Sequence, residues 1–83
     1  MYEVVLRKKA HKKLKRLESK HKKRILIALV KLRKDPLLGK ALVGKLKGYY
    51  SLRVWPFRII YKIYKSQLVV FVIDIGHRQG VYK

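Results

Sequence analysis

Tyr50-Ser51-Leu52-Arg53-Val54-Trp55-Pro56-Phe57-Arg58-Ile59-Ile60-Tyr61-Lys62-Ile63-Tyr64 is the stretch that decides the fold. β-Branched and aromatic residues dominate it, and Trp55-Pro56 interrupts it at a point where proline cannot donate to a ladder. It predicts a hairpin, with one strand over 50–54, a tight turn, and a second strand over 57–64. Side chains alternate faces along a strand. Ser51 and Arg53 therefore share one face, while Leu52 and Val54 share the other. On the next strand Phe57, Ile59, Tyr61 and Ile63 face one way and Arg58, Ile60, Lys62 and Tyr64 the opposite way. The two apolar sets belong under a covering layer, which leaves Arg53 and Arg58 together on the open face across the hairpin.

Downstream, Lys65-Ser66-Gln67 supplies a turn and Leu68 to Ile75 a further strand. Every position from Leu68 to Ile73 is apolar, which predicts a central strand covered on both faces. It runs antiparallel to 57–64, so it ends near the start of Arg58's strand. His77 and Arg78 follow, and Val81-Tyr82 closes the sequence. The strand arithmetic thus gathers Arg53, Arg58, Arg78, His77 and Tyr82 at one edge of the sheet.

Upstream, Tyr2, Val4 and Leu6 alternate as a short first strand. From Lys8 the period changes. Ala10, Leu14 and Leu17 make a narrow apolar stripe on a basic helix, and Ile25, Leu26, Ala28, Leu29 and Leu32 make a wider one on a second helix that Ser19 can cap. Asp35-Pro36 ends it, because the residue before proline disfavours helix. So short a join predicts an antiparallel helix hairpin. Residues 37–48 carry Gly39, Gly44 and Gly48 among lysines, a loop with Leu42 and Leu46 as anchors. The order is β-α-α-β-β-β: an α+β fold in which an antiparallel sheet carries the helix hairpin on one face. With 83 residues, no repeat and no linker, the chain is one domain, 1–83.

Charge narrows the function. Twenty-three Lys and Arg stand against four acids, a formal net charge of +19. Four carboxylates cannot pair so many cations internally, so a polyanion is the expected partner: nucleic acid, an acidic protein, or both in turn. The chain has no cysteine, which excludes thiolate chemistry and disulfides. It has no signal-peptide pattern and no apolar run near the length of a membrane span, so a cytoplasmic protein with no membrane partner is expected. No His, Asp and Glu cluster has metal spacing, and neither glycine-rich phosphate loop occurs. No metal and no cofactor are expected.

The sequence resembles the RelE/ParE toxin family over nearly its whole length. The resemblance rests on the opening strand and helix pair, Asp35-Pro36, the glycine-spaced loop, and Tyr49 to Val54. Its more specific blocks are Phe57-Arg58-Ile59-Ile60-Tyr61 and Ile73-Asp74-Ile75-Gly76-His77-Arg78 with Val81-Tyr82. It implies a RelE-like toxin of a type II toxin–antitoxin system, a metal-independent endoribonuclease that cuts messenger RNA in the ribosome and is neutralised by a RelB-like acidic antitoxin. Functional positions carried across fall on Arg53, Arg58, Arg78 and Tyr82. Such nucleases often hold a second basic residue two positions before the first; here that position is Ser51, and Lys47, Lys45 or His77 are the candidate substitutes. The sequence stops at Lys83, so the C-terminal helix that antitoxins displace in some relatives is not expected. Three other readings stay open: a ParE-like gyrase poison, a catalytically silent basic module that only binds nucleic acid, and a scaffold whose only partner is an acidic antitoxin or its DNA-binding dimer.

A nuclease of this kind uses the RNA 2′-hydroxyl as nucleophile. Arg58 and Arg78 are then expected to hold the phosphate, Arg53 to orient the backbone, and Tyr82 to act as general base, with His77 the alternative. Lys12, Lys13, Arg16 and Lys23 on the helices, with Lys45, Lys47 and Ser51 nearer the site, are expected to contact RNA.

Overall fold

A computed structural model describes residues 1–77 of the chain. Strand β1 spans Glu3–Leu6, helix α1 Lys8–Arg16 and helix α2 Ser19–Lys34. Strand β2 is only Lys40–Ala41, followed by β3 Tyr50–Val54, β4 Phe57–Tyr64 and β5 Val69–His77. The sheet order is β1-β5-β4-β3-β2.

The α+β class and the β3-β4-β5 meander follow the sequence pattern, but the sheet is mixed rather than wholly antiparallel. β1 lies parallel to β5, with Glu3 opposite Val69 and Leu6 opposite Val72. The pairing has a clear cause. Without β1, the most apolar strand of the chain would present an open edge to solvent. β2 adds a short fifth strand where a loop was expected, with Lys40 opposite Ser51 and Ala41 opposite Tyr50.

Both helices pack on one face, and the core forms between them and the sheet. Ala10, Leu14, Ile25, Ala28, Leu29 and Leu32 from the helices meet Ile59, Tyr61, Val70, Val72 and Ile75. Leu52, Val54, Phe57 and Ile63 pack against this cluster, the side on which alternation placed them. Arg24 Nη1 donates to the Trp55 carbonyl at 2.6 Å and ties α2 to the β3–β4 turn.

Three local expectations are corrected. Ser19 is the first helical residue, not the cap; Glu18 occupies the cap position without a side-chain bond. Leu68 is not in β5 but in the turn before it, in the left-handed conformation at φ 55°. β5 is central in pairing but buried on one face only. Val70 and Val72 are fully buried, whereas Val69, Phe71 and Ile73 are half-buried, because both helices occupy the other side of the sheet.

β5 also contains a bulge. Ile60 pairs with Asp74 and Tyr61 with Val72, which leaves Ile73 as the extra residue. The phase shift lets Val72 and Ile75, three positions apart, both reach the core at 0% and 1% exposure.

Candidate functional site

Register converts the sheet into cross-strand rows, and two of them carry the chemistry. Arg53 stands opposite Arg58, and Arg58 opposite Gly76. The adjacent row runs Lys40, Ser51, Ile60, Asp74. Residues directly opposite share a face, and residues two apart on one strand share it too. Lys40, Ser51, Arg53 and Arg58 therefore rise from the face away from the helices. Gly76 offers no side chain beside Arg58.

These residues line one cleft of about 370 Å³ with Leu38, Leu42 and Leu52. No carboxylate among the described residues lines it. Arg53 is exposed and Arg58 half-buried, while Ser51 is buried at 7% exposure. Three cations around a concave, partly apolar floor have the chemistry to attract an anionic group, and the guanidinium forks suit phosphate oxygens.

The segment bearing Lys40 is fixed from below. The Tyr61 hydroxyl donates to the Pro36 carbonyl at 2.7 Å and accepts from the Gly39 N–H at 2.9 Å. Burial raises the Tyr61 phenol above its ordinary value, partly opposed by the Gly39 N–H bond. Glycine at 39 is a steric requirement: a Cβ there would lie 2.5 Å from the Tyr61 oxygen and 2.9 Å from the Ser51 carbonyl oxygen. Asp35 starts this segment by accepting from the Leu37 N–H at 3.1 Å.

The other candidate residues are placed less uniformly. His77 lies opposite Phe57, on the helix side, and its ring packs edge-on against Phe57 at 5.7 Å. His21 of α2 contacts the same ring at 5.0 Å. β5 extends two residues further than expected, and alternation then turns His77 away from Arg53 and Arg58. Lys47 lines a separate cleft with Ala41, Val43 and Tyr49, and Lys45 is exposed; neither lines the arginine cleft. Arg78 and Tyr82 lie outside the described residues.

On the helices, Lys12, Lys13 and Arg16 meet Arg7, Lys8 and Lys9 around a further cleft of about 490 Å³. Lys13 is already engaged. Its Nζ lies 2.8 Å from Asp74 Oδ1, with Lys9 Nζ 3.6 Å from the other oxygen. Lys23 is exposed on α2. The residue that strand arithmetic missed is Lys40. A two-residue strand carries no period, so its only signal was the lysine two positions before Leu42, just after Gly39.

A five-stranded mixed sheet with two helices on one face has known counterparts. The sequence matches the ParE toxin family of type II toxin–antitoxin systems over residues 4–82. The chain belongs to that family. It is 33% identical to the toxin RelG of Mycobacterium tuberculosis in an alignment 66 residues long that covers 72% of this chain and 76% of that one. The fold superposes on the RelBE2 toxin–antitoxin complex of M. tuberculosis with a TM-score of 0.76 at 31% identity, covering 93% and 98% of the two chains. The intact Escherichia coli RelBE complex gives a TM-score of 0.81 at 22% identity, covering 93% and 96%. An archaeal RelE–RelB complex from Pyrococcus horikoshii gives 0.78 at 23%, covering 96% and 98%. The protein is thus a RelE-like toxin of a type II toxin–antitoxin system.

Proposed function

We propose that this toxin cleaves messenger RNA on the ribosome and that an acidic, RelB-like antitoxin neutralises it. The observation that carries the reading is the Arg53–Arg58 pair, opposite one another on the face away from the helices in a cleft that Lys40 also lines. A net charge of +19 supports an RNA-rich target, since Lys and Arg side chains that neutralise phosphates release counterions without needing sequence.

In the reaction the RNA supplies its own nucleophile. The 2′-hydroxyl gives its proton to a base, its oxygen attacks the adjacent phosphorus, and the bond from phosphorus to the 5′-oxygen breaks as that oxygen takes up a proton. The products are a 2′,3′-cyclic phosphate and a 5′-hydroxyl. Arg58 holds the phosphate oxygens as charge accumulates, and Arg53 orients the backbone. From the family resemblance, Arg78 joins Arg58 and Tyr82 is the base. His77 is the weaker candidate for the base, given its packing on Phe57. Lys12, Arg16 and Lys23, with Lys45 and Lys47, grip ribosomal RNA phosphates.

Antitoxin binding is supported by the same charge and by apolar residues left in solvent. Leu26, Ile27 and Val30 are 47%, 52% and 56% exposed on the outer side of α2. An acidic segment with apolar anchors suits such a surface. Expressing the toxin with and without its genomic neighbour tests the reading. Protein synthesis should stop while plasmid supercoiling stays normal, and cut messengers should carry cyclic phosphate ends. Lost supercoiling with intact messengers would establish the gyrase alternative instead.

A further inference from the structure

We propose that Lys40 is a catalytic residue of this site and the proton donor to the departing 5′-oxygen; the inference rests on the nuclease reading above. Three observations carry it. Lys40 is in register with Ser51, so its side chain leaves the same face one strand away. It lies diagonally next to Arg53, within reach for so long a side chain, and it lines the cleft that holds both arginines. Its backbone is fixed by the Tyr61 hydroxyl one residue earlier, at Gly39.

Chemistry then separates Lys40 from its neighbours. Arginine keeps its proton near neutral pH, so Arg53 and Arg58 can stabilise charge but cannot complete the proton transfer that the leaving group requires. Among the described residues lining the cleft, the Lys40 ammonium is the group with a proton to give and a charge to offer. Ser51, short and buried opposite it, leaves the space above their row to the lysine. In the step, the Lys40 N–H proton passes to the 5′-oxygen as the phosphorus–oxygen bond breaks, and the resulting amine is reprotonated by water. An ammonium on β2 thus supplies what position 51 lacks.

The test is single-turnover cleavage on programmed ribosomes with two messengers, one natural and one with sulfur in place of the bridging 5′-oxygen at the cut. A thiolate departs without protonation. Lys40→Met and Lys40→Arg should both cut the natural messenger about a hundred- to ten-thousand-fold more slowly than wild type. Both should recover to near the wild-type rate on the sulfur messenger. Lys40→Arg keeps the charge, so its ribosome binding should be unchanged, and Lys65→Met in the turn after β4 should cleave normally. Wild-type rates for Lys40→Met overturn the proposal. Equal slowing on both messengers overturns the proton-donor role. Messengers left intact by the wild-type toxin overturn the nuclease reading and this inference together.

Discussion

Tyr61→Phe removes one oxygen from the centre of the molecule and should reach both stability and the site. The Tyr61 side chain is fully buried, and its hydroxyl satisfies the Gly39 N–H and the Pro36 carbonyl at once. Phenylalanine keeps the ring, its stacking on Tyr50 at 5.5 Å and its apolar contacts. What is lost is two hydrogen bonds, leaving a donor and an acceptor in a part-buried setting. At about 1–1.5 kcal/mol for each, the loss is about 2–3 kcal/mol, or about 10–20 °C in melting temperature for a domain of this size. Urea unfolding followed by circular dichroism measures it, with the slope unchanged if only the folded state is affected. The same variant changes the alkaline limb. Because burial holds the Tyr61 phenol above its ordinary value, the unfolded chain loses that proton first. This group's stability contribution is full below the unfolded value and fades as pH rises through the folded one. Wild type should therefore lose stability in that range relative to Tyr61→Phe, a comparison that cancels lysine titration. A Tyr61→Phe protein as stable as wild type, with a parallel pH profile, would refute the idea that this hydroxyl fastens residues 36–39 to the sheet.

Further expectations concern the same architecture. Gly39→Ala should destabilise the fold by about 1–3 kcal/mol, since the methyl meets the Tyr61 oxygen and the Ser51 carbonyl; thermal melts of the purified toxin measure it. Asp74→Asn should cost about 1–2 kcal/mol by removing the carboxylate that Lys13 and Lys9 share, an effect that shrinks as salt is added to the unfolding buffer. Removing Lys12 and Arg16 together should flatten the dependence of ribosome affinity on the logarithm of salt by about 1.4–1.8, or 0.7–0.9 for each phosphate contact, in sedimentation assays.

How far the sequence could be read differs from element to element. The β3–β4 hairpin and the facing of Arg53 and Arg58 were legible because proline fixed the turn and period two fixed the faces. Both helices were legible from their stripes and from Asp35-Pro36. β1's parallel pairing was not, since alternation identifies a strand but not its neighbour. The bulge at Ile73 leaves no trace either, because every position from Leu68 to Ile73 is apolar and no alternation marks where the phase slips. His77 was misplaced for a related reason. The bulge shifts the phase by one residue, and β5 runs two residues past Ile75, so His77 is still a strand position and its face is set by the ladder. Lys40 stayed hidden because register with Ser51 is a tertiary fact, and two residues make no pattern.

In the proposed reaction Arg53, Arg58 and Lys40 act from one face upon one phosphodiester. Single-turnover messenger cleavage by Arg58→Ala on programmed ribosomes, beside its ribosome binding and circular dichroism, tests that most directly. The variant should fold, bind ribosomes nearly as wild type does, and cleave about a hundred- to thousand-fold more slowly, as expected when a preorganised charge donor is removed. A folded Arg58→Ala protein cleaving at the wild-type rate would contradict it.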